Sequence, residues 1–278
     1  MPRVQRGVAG LRLAAFYHVW APGRWEEPLA EFLNALGDFT GPLYLGLVGA
    51  PKERRTVLSA VTRNHKIATV ADSGYEQITL AAVREYALKN GGAVLYAHTK
   101  GAARDYALQR PWRREVTEQL VLPWRENLAA LEDADVVGSS WQDWGDEPSG
   151  FLANFWMARC DYLRTLPPPS TERRTAAETW VGSSVPEPRV YDLAPRRMRW
   201  VPTDGRGDRK IDVPEGYIAI MITETGESVL AVQIVPAEWL PDIHERMVWR
   251  VLAPEEAQAW RDSYARRETC WTNVTQAS

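Results

Sequence analysis

The sequence has few cysteines and no long hydrophobic run. Cys160 and Cys270 are its two cysteines in 278 residues, whereas small secreted domains held by disulfides carry many more. We therefore expect a reducing compartment and a cytoplasmic protein. No stretch of about 18 uncharged apolar residues occurs, so we expect no membrane span. The apolar part of the N-terminus is broken by Arg12 and His18, which does not fit a signal peptide.

An excess of positive charge is also missing, since the formal net charge is −3. A chain with this balance has no overall attraction to nucleic acid or to an anionic membrane, so any polyanion must bind to a local patch. One segment is locally basic and contains Trp200. Its cationic residues are Arg196, Arg197, Arg199, Arg206, Arg209 and Lys210.

Several catalytic motifs are absent as well. The chain has no nucleophile elbow, no P-loop, no Cys-x-x-Cys pair and no long zinc-ligand spacing. Hydrolase, kinase and zinc-protein functions therefore have no sequence support. We also find no internal repeat.

What the sequence does contain is an alternation of apolar strands and amphipathic helices. We predict strands at 11–19, 42–49, 66–72 and 93–97, and helices at 24–39, 52–64 and 75–92. Strands and helices that alternate over short connections are typical of a mostly parallel sheet with helices on both faces. The fold class is therefore predicted to be α/β, of the Rossmann type.

The second half of the chain is less regular. A helical stripe follows Pro111, and Pro123 is expected to kink or divide it. We predict strands at 134–141 and 151–159 that form an edge of a mixed sheet, and a surface connector at 183–210.

We expect the main domain to cover residues 1–203 and a small α+β module to cover 211–278. In that module, 216–223 and 228–235 are predicted to form a β-hairpin, followed by helices in "PAEWLPDIHERM" and "APEEAQAWRDSYARRE".

A polar tetrapeptide ends the fourth predicted strand. "AVLYA" is followed at once by His98, Thr99, Lys100 and Gly101. Ligands of open α/β sheets bind beyond the carboxyl ends of the strands. The position of these residues therefore predicts a binding site, although a satisfied histidine and a solvated lysine would also fit a strand end.

Several blocks of the sequence resemble a bacterial and viral glycosyltransferase-like family that is related to the rhamnan-synthesis glycosyltransferases. The resemblance covers roughly residues 12–182, and the chain departs from the family pattern at Ala153, where the family has Gly. The shared blocks, in order, are "FYHVW", "GYEQITLAAVREYA", "VLYAHTKGA", "VVGSSW", "FLANFWMARCDYLRTLP" and "AAETWVG".

The resemblance implies a GT-A-like fold and a hexosyltransferase that uses a nucleotide-sugar donor. Negative charge develops on the departing diphosphate, so a cation beside it stabilises the transition state. We assign that role to Lys100, assisted by Arg104 or Arg113. His98 would bind the donor or a metal, Thr99 would contact the donor, and Gly101 would let the backbone approach it.

Other candidate residues lie in the later blocks. Glu178 is the candidate general base, because partial burial raises the pKa of a carboxyl group; a glutamate on a helix surface is the alternative. Asn154 is expected to hydrogen-bond a ligand or a loop backbone. Glu76 is expected to contact the base or ribose of the donor, although helix N-termini also favour Glu. Trp180 is expected to contact the acceptor.

The loop after the strand at 134–141 supplies a candidate metal site for Mn²⁺ or Mg²⁺. Asp143 and Asp146 could share the ion, while Asp143 and Trp144 could instead contact the acceptor. Asp133 and Asp135 form an Asp-x-Asp pair, but this pair follows a helix and precedes a strand, so we interpret it as a cap and turn.

Two other function classes remain open at this point. The chain could be a non-catalytic carbohydrate-binding protein, or its basic segment could bind nucleic acid. The sequence does not decide the sugar, the nucleotide, the acceptor (saccharide, lipid-linked, protein or modified DNA), the stereochemistry, the need for metal or the oligomeric state.

Overall fold

The computed structural model describes residues 11–102, 109–144, 147–172, 176–194, 199–201, 217–223, 229–236 and 249–252. The chain divides into two compact units. The first contains residues 1–105 and 112–195, and the second contains residues 106–111 and 196–278.

Strands and helices alternate through the first hundred residues. The predicted order of elements is confirmed, with the bounds β1 (Leu13–Trp20), α1 (Glu26–Ala35), β2 (Leu43–Val48), α2 (Pro51–Ala60), β3 (Lys66–Ala71), α3 (Gln77–Lys89) and β4 (Ala93–His98). The strands β1, β2 and β4 are almost completely buried, as parallel strands covered on both faces should be.

The next elements along the chain are shorter. They are α4 (Gln109–Val116), a π-helix (Thr117–Val121), α5 (Trp124–Ala130), β5 (Val136–Gly138), β6 (Trp141–Trp144), β7 (Glu147–Phe151), β8 (Trp156–Arg159), α6 (Cys160–Leu163), α7 (Ala176–Thr179), a 3₁₀-helix (Trp180–Gly182) and β9 (Val190–Asp192). Pro123 stands at the N-terminus of α5 and divides the helical stripe as predicted.

Seven strands form the main sheet, in the order β3-β2-β1-β4-β8-β5-β9. All neighbours are parallel except β8, which runs antiparallel to both β4 and β5. The chain moves outward from β1 to β3 and then returns to place β4 on the other side of β1. This reversal of strand order is a topological switch point, where a crevice opens at the carboxyl ends of the strands. The protein is therefore an α/β protein with a Rossmann-like, mostly parallel sheet.

Three predictions for the second half were wrong in detail. The strand predicted at 134–141 is broken at Ser140, and the strand predicted at 151–159 is broken at Asn154; both residues have positive φ, 62° and 53°. The left-handed backbone ends strand pairing, and Asn is one of the residues that tolerate it best. As a result β8 lies inside the sheet and not at its edge.

The predicted connector at 183–210 also contains secondary structure. Its residues Val190–Asp192 form β9, which pairs in parallel with β5. A strand of three residues is too short to produce a recognisable periodicity in the sequence.

The helices cover the two faces of the sheet. On one face, α3 approaches β2 so closely that a Cβ on Gly46 would collide with Thr79. On the other face, Tyr17 of β1 stacks on Phe32 of α1 at 4.3 Å between ring centroids. A cluster of buried residues under α3 includes Phe16, Leu80 and Trp156.

The second unit contains a four-stranded antiparallel sheet in the order β10-β12-β11-β13. Its strands are β10 (Arg199–Val201), β11 (Tyr217–Thr223), β12 (Val229–Pro236) and β13 (Trp249–Leu252). The predicted hairpin is confirmed, since β11 and β12 pair antiparallel. The two predicted helices of this module lie outside the described residues.

In the described part of the chain, no helix combines the length and apolar character that crossing a bilayer requires.

Candidate functional site

The carboxyl ends of β1 and β4 meet at the switch point. His18 and His98 are register partners on these two strands. Beyond them, the Thr99 amide donates to the His18 carbonyl oxygen at 2.9 Å. The Thr99 hydroxyl accepts from the Trp20 amide at 3.0 Å. Thr99 therefore holds the two strand ends together, and its hydroxyl is already engaged within the protein.

A carboxylate is held inside this crevice by neighbouring polar side chains. Glu76, the residue before α3, accepts hydrogen bonds on Oε2 from the Tyr96 hydroxyl at 3.0 Å and from Asn154 Nδ2 at 2.7 Å. Its Oε1 lies 3.5 Å from His98 Nδ1. We call Glu76, Tyr96, His98 and Asn154 the Glu76 cluster. It joins the end of β4, the start of α3 and the turn before β8.

Tyr96 can only act as a hydrogen-bond donor in this cluster. Burial raises the pKa of its hydroxyl well above the ordinary value of 10, and the neighbouring Glu76 carboxylate raises it further. A tyrosine that stays protonated stabilises the ionised form of the carboxylate it donates to.

Asn154 lies in the turn between β7 and β8, buried and in the left-handed conformation. Its Nδ2 donates to Glu76, and its Oδ1 accepts from the Trp156 indole at 3.0 Å. Its partners within the chain are therefore the side chains of Glu76 and Trp156, and a bond from Asn154 to a ligand stays a prediction. Sparsely populated backbone conformations often occur at functional sites.

The ring of His98 is fixed by a backbone carbonyl. Its Nε2 lies 3.0 Å from the Ala153 oxygen. A carbonyl oxygen only accepts, so Nε2 carries the proton and Nδ1 faces Glu76. The Phe155 ring packs edge-on against the imidazole at 5.3 Å. His98 is therefore oriented on several sides by the chain itself.

A second histidine lies behind His98 and was not among the sequence candidates. His18 is buried, and its Nδ1 lies 2.8 Å from the Thr79 hydroxyl. Burial lowers the pKa of His18 from 6.5 to about 4, with nearby Glu76 opposing the change and His98 adding to it. His18 is therefore neutral at pH 7. Its place at the end of an apolar strand, as at His98, was the signal that could have identified it.

Lys100 lies at the rim of the crevice. Its Nζ is 3.7 Å from the centre of the Trp112 ring. Arg113 forms a bidentate ion pair with Glu31 at 2.6 and 3.1 Å, and its Nη1 donates to the Lys100 carbonyl oxygen at 3.2 Å. We call Lys100, Trp112, Arg113 and Glu31 the Lys100 cluster. Arg113 thus fixes the backbone at Lys100, and its own charge is balanced by Glu31.

The chain turns sharply after Lys100. The Ala102 amide donates to the Thr99 carbonyl oxygen at 3.0 Å, and Gly101 has a φ of 84°, which favours glycine in a turn. The Ala102 carbonyl then accepts from the Arg24 amide at 3.1 Å, so the loop after β1 packs against this turn.

The other predicted site residues lie elsewhere or outside the described parts. Glu178 is half-buried in α7. The backbone of α7 packs closely on β7, since a Cβ on Gly150 would lie 2.5 Å from the Glu178 carbonyl oxygen. Trp180 is buried, with its indole donating to the Pro167 carbonyl at 2.9 Å, so it belongs to the core. Arg104 and Asp146 lie outside the described residues, as do the side chains of Asp143 and Trp144.

A divalent metal is not accommodated by the side chains described. Among these residues, no group of three or more His, Cys, Asp and Glu side chains could hold a metal ion. Both ring nitrogens of His98 face protein groups. Asp135, of the Asp-x-Asp pair, is bound to Arg189 at 2.8 Å.

Comparison with known proteins gives one family and several distant structures. Residues 16–187 match the model of the family described as "Domain of unknown function (DUF8361)". No curated protein matches the chain.

The similar solved structures share little sequence with it. A candidate nucleotide-diphospho-sugar transferase from Desulfovibrio desulfuricans G20 is 11% identical, with a TM-score of 0.43 over 66% of this chain and 80% of that one. TarS residues 1–349 from S. aureus are 10% identical, with a TM-score of 0.39 over 65% of this chain and 57% of that one.

Glucosyl-3-phosphoglycerate synthase from Mycobacterium tuberculosis, in complex with Mn²⁺, UDP and phosphoglyceric acid, is 12% identical. Its TM-score is 0.42 over 84% of this chain and 92% of that one. Likeness at this level carries no inference about activity. The family model, in contrast, spans more than half of the chain, and the protein therefore belongs to the DUF8361 family.

Proposed function

We propose that this protein is a glycosyltransferase that transfers a sugar from a nucleotide-sugar donor to an acceptor hydroxyl. The observation that carries the proposal is Lys100, which the Arg113–Glu31 pair and the Gly101 turn hold at the rim of the switch point. The sequence blocks that resemble the rhamnan-synthesis glycosyltransferases support it independently.

The reaction requires a cation where the donor diphosphate leaves. The bond between the sugar C1 and the diphosphate oxygen breaks, and its electron pair stays on the diphosphate. The acceptor oxygen forms the new bond to C1, and its proton passes to a carboxylate. Lys100 would stabilise the charge that develops on the diphosphate. In this proposal Lys100 supplies the positive charge; among the described residues, no group of three or more His, Cys, Asp and Glu side chains could hold a metal ion.

The Glu76 cluster would orient the donor. Oε2 of Glu76 accepts two hydrogen bonds from the protein, while Oε1 faces His98 and has room for a further donor in its lone pairs. A hydroxyl of the donor ribose or sugar is the group that we assign to Oε1. His98 would act as a positioning residue for Glu76.

Glu178 remains our candidate for the carboxylate that takes the acceptor proton. Its side chain is half-buried at the end of a short helix. Glu178→Gln should reduce transfer by orders of magnitude while donor affinity stays the same. An unchanged rate would remove Glu178 from the mechanism.

A second function has one observation in its favour. The Glu76 carboxylate already receives hydrogen bonds from Tyr96 and Asn154, as a structural network in a non-catalytic, ligand-binding protein would. The acceptor, whether saccharide, protein or modified DNA, belongs to the proposal and is not identified by the site. The basic segment that would favour nucleic acid lies mostly outside the described residues.

The test is a nucleotide-release assay with UDP-, GDP-, dTDP- and CMP-sugars, each with Mn²⁺, Mg²⁺ or chelator. We expect slow release of one nucleotide, and loss of that release in Lys100→Gln. The matched control is Lys89→Gln, which removes an exposed lysine from the end of α3. Binding without release in every condition would favour the non-catalytic function. Equal release by Lys100→Gln and the unaltered protein would contradict the role of Lys100.

A further inference from the structure

The strand β3 forms one end of the seven-stranded sheet. Within the described chain it is hydrogen-bonded to β2 alone. Two of its apolar side chains are open to solvent, since Ile67 is 45% exposed and Val70 is 54% exposed. An open strand edge offers backbone donors and acceptors that can pair with another chain.

A register shift places Ile67 and Val70 on the same face of the sheet. Leu45 of β2 pairs with Ile67, but the next residue, Gly46, pairs with Thr69, and Leu47 pairs with Val70. Paired residues on parallel strands point to the same face, and Leu45 and Leu47 share a face because they are two apart. Without the shift, residues three apart would point to opposite faces.

The two ends of β3 carry opposite charges. Lys66 is its first residue, and Asp72 follows its last residue. An antiparallel pairing of β3 with a second copy of itself brings the start of one strand beside the end of the other. Lys66 of each copy then approaches Asp72 of the other.

We propose that β3 is a homodimer interface, in which two copies pair edge to edge around a two-fold axis. In the register that places Ile67 opposite Val70 of the second copy, Lys66 lies opposite Ala71 and next to Asp72. All four exposed apolar side chains then share one face of a continuous sheet. A two-fold interface makes each of these contacts twice.

A second copy fits this edge better than an unrelated strand. Asp72 pairs through Oδ1 with Arg54 of its own chain, but its side chain is 80% exposed, so Oδ2 can accept from Lys66 of a second copy. Lys66 at one end and Asp72 at the other make β3 complementary to itself in the antiparallel direction only. Lysines and bulges commonly protect sheet edges from pairing. In β3 the lysine stands where Asp72 of the second copy would neutralise it, and the bulge aligns the exposed apolar pair.

Sedimentation equilibrium of the full chain over a range of concentrations tests the proposal. We expect a reversible dimer, whose dissociation constant rises by at least about tenfold in Val70→Lys and in Ile67→Lys. Leu122→Lys is the matched control, because Leu122 is 60% exposed and follows the π-helix Thr117–Val121, outside β3, and it should leave the constant unchanged. A monomer at every concentration would overturn the proposal, as would a dimer that both β3 variants leave intact.

A charge exchange tests the antiparallel direction. Lys66→Asp and Asp72→Lys should each weaken the dimer, and the double variant should restore its dissociation constant to within about threefold of the original. Loss of the Arg54–Asp72 ion pair within one copy would not be repaired by a change at Lys66. A double variant weaker than both single variants would contradict the proposed pairing. These experiments use no nucleotide, so their result is independent of the proposed glycosyltransfer.

Discussion

The two clusters at the end of β4 are built in different ways. In the Glu76 cluster, a carboxylate is surrounded by neutral donors and one imidazole inside the crevice. In the Lys100 cluster, a cation rests on an aromatic ring at the rim, and its backbone is fixed by an ion pair. Tyr96 of the first cluster and Lys100 of the second are only four positions apart along the chain, where the buried strand gives way to the rim.

This difference separates the cluster on which folding depends from the cluster that folding does not need. Buried polar groups stabilise the fold only while each keeps its partner, so changes within the Glu76 cluster should act on stability as well as on donor orientation. A lysine at the rim adds little to stability, so changes at Lys100 should act on ligand affinity. The variants below test that separation.

Glu76→Ala should cause the greatest loss of stability. It leaves the Tyr96 hydroxyl and the Asn154 amide without their acceptor inside the protein, which should cost about 2–4 kcal/mol in the free energy of unfolding. Urea denaturation measures this loss. Glu85→Ala, in the helix α3 that Glu76 precedes, removes a carboxylate that pairs with Lys89 at the surface and should cost less than about 1 kcal/mol. Equal losses in the two variants would show that the Glu76 cluster does not support the fold.

Stability should also fall as the pH falls from about 6.5 to about 4. The pKa of His18 is about 4 in the folded protein and 6.5 in an ordinary environment, so the unfolded chain takes up a proton before the folded protein does. The stabilisation by neutral His18 is complete above the unfolded pKa and is lost as the pH approaches the folded pKa, by up to about 3 kcal/mol.

Denaturation at a series of pH values checks this prediction. The pH dependence should be shallower in His18→Gln, while His65→Gln, which removes a histidine that bonds the backbone outside the crevice, should retain it. Identical curves for His18→Gln and the unaltered protein would place the acid sensitivity elsewhere.

Asn154 allows the backbone and the side-chain contributions to be separated. Asn154→Ala and Asn154→Gly both lose the hydrogen bonds to Glu76 and Trp156, but of the two only glycine adopts a φ of 53° without steric strain. The alanine variant should therefore be less stable than the glycine variant by about 1 kcal/mol. If alanine is the more stable of the two, the left-handed turn is not retained in solution.

Lys100→Gln should have the smallest effect on stability. Loss of its contact with the Trp112 ring should change the free energy of unfolding by less than about 1 kcal/mol. A larger loss, measured by the same urea denaturation, would mean that Lys100 serves the fold and would remove the contrast between the two clusters.

The sequence predicts best those elements whose apolar periodicity extends over many residues. The elements from β1 to β4 each have six or more residues, so their order could be predicted. The strands β5, β8 and β9 have three or four residues each, and the left-handed residues Ser140 and Asn154 lie just after β5 and just before β8. Such turns arise from local tertiary contacts and leave no periodic signal.

The site was predictable only in part for a related reason. The strand end at His98, Thr99 and Lys100 could be located from the break in apolar sequence. The bond between Glu76 and Asn154 joins residues 78 positions apart, and no local pattern predicts it. Arg113 was expected to neutralise a diphosphate, but the structure binds it to Glu31, because an acidic partner from α1 is brought beside it by the fold.

The central claim is that Lys100 at the switch point binds a nucleoside diphosphate. Calorimetric titration of UDP, GDP and dTDP, with the monophosphate CMP as a comparison, into the unaltered protein, Lys100→Gln and Lys89→Gln tests it most directly. We predict that one nucleoside diphosphate binds, that Lys100→Gln weakens its affinity by about tenfold or more, and that Lys89→Gln leaves it unchanged. Binding of that nucleotide with the same affinity to all three proteins, or binding of no nucleoside diphosphate to the unaltered protein, would contradict the claim.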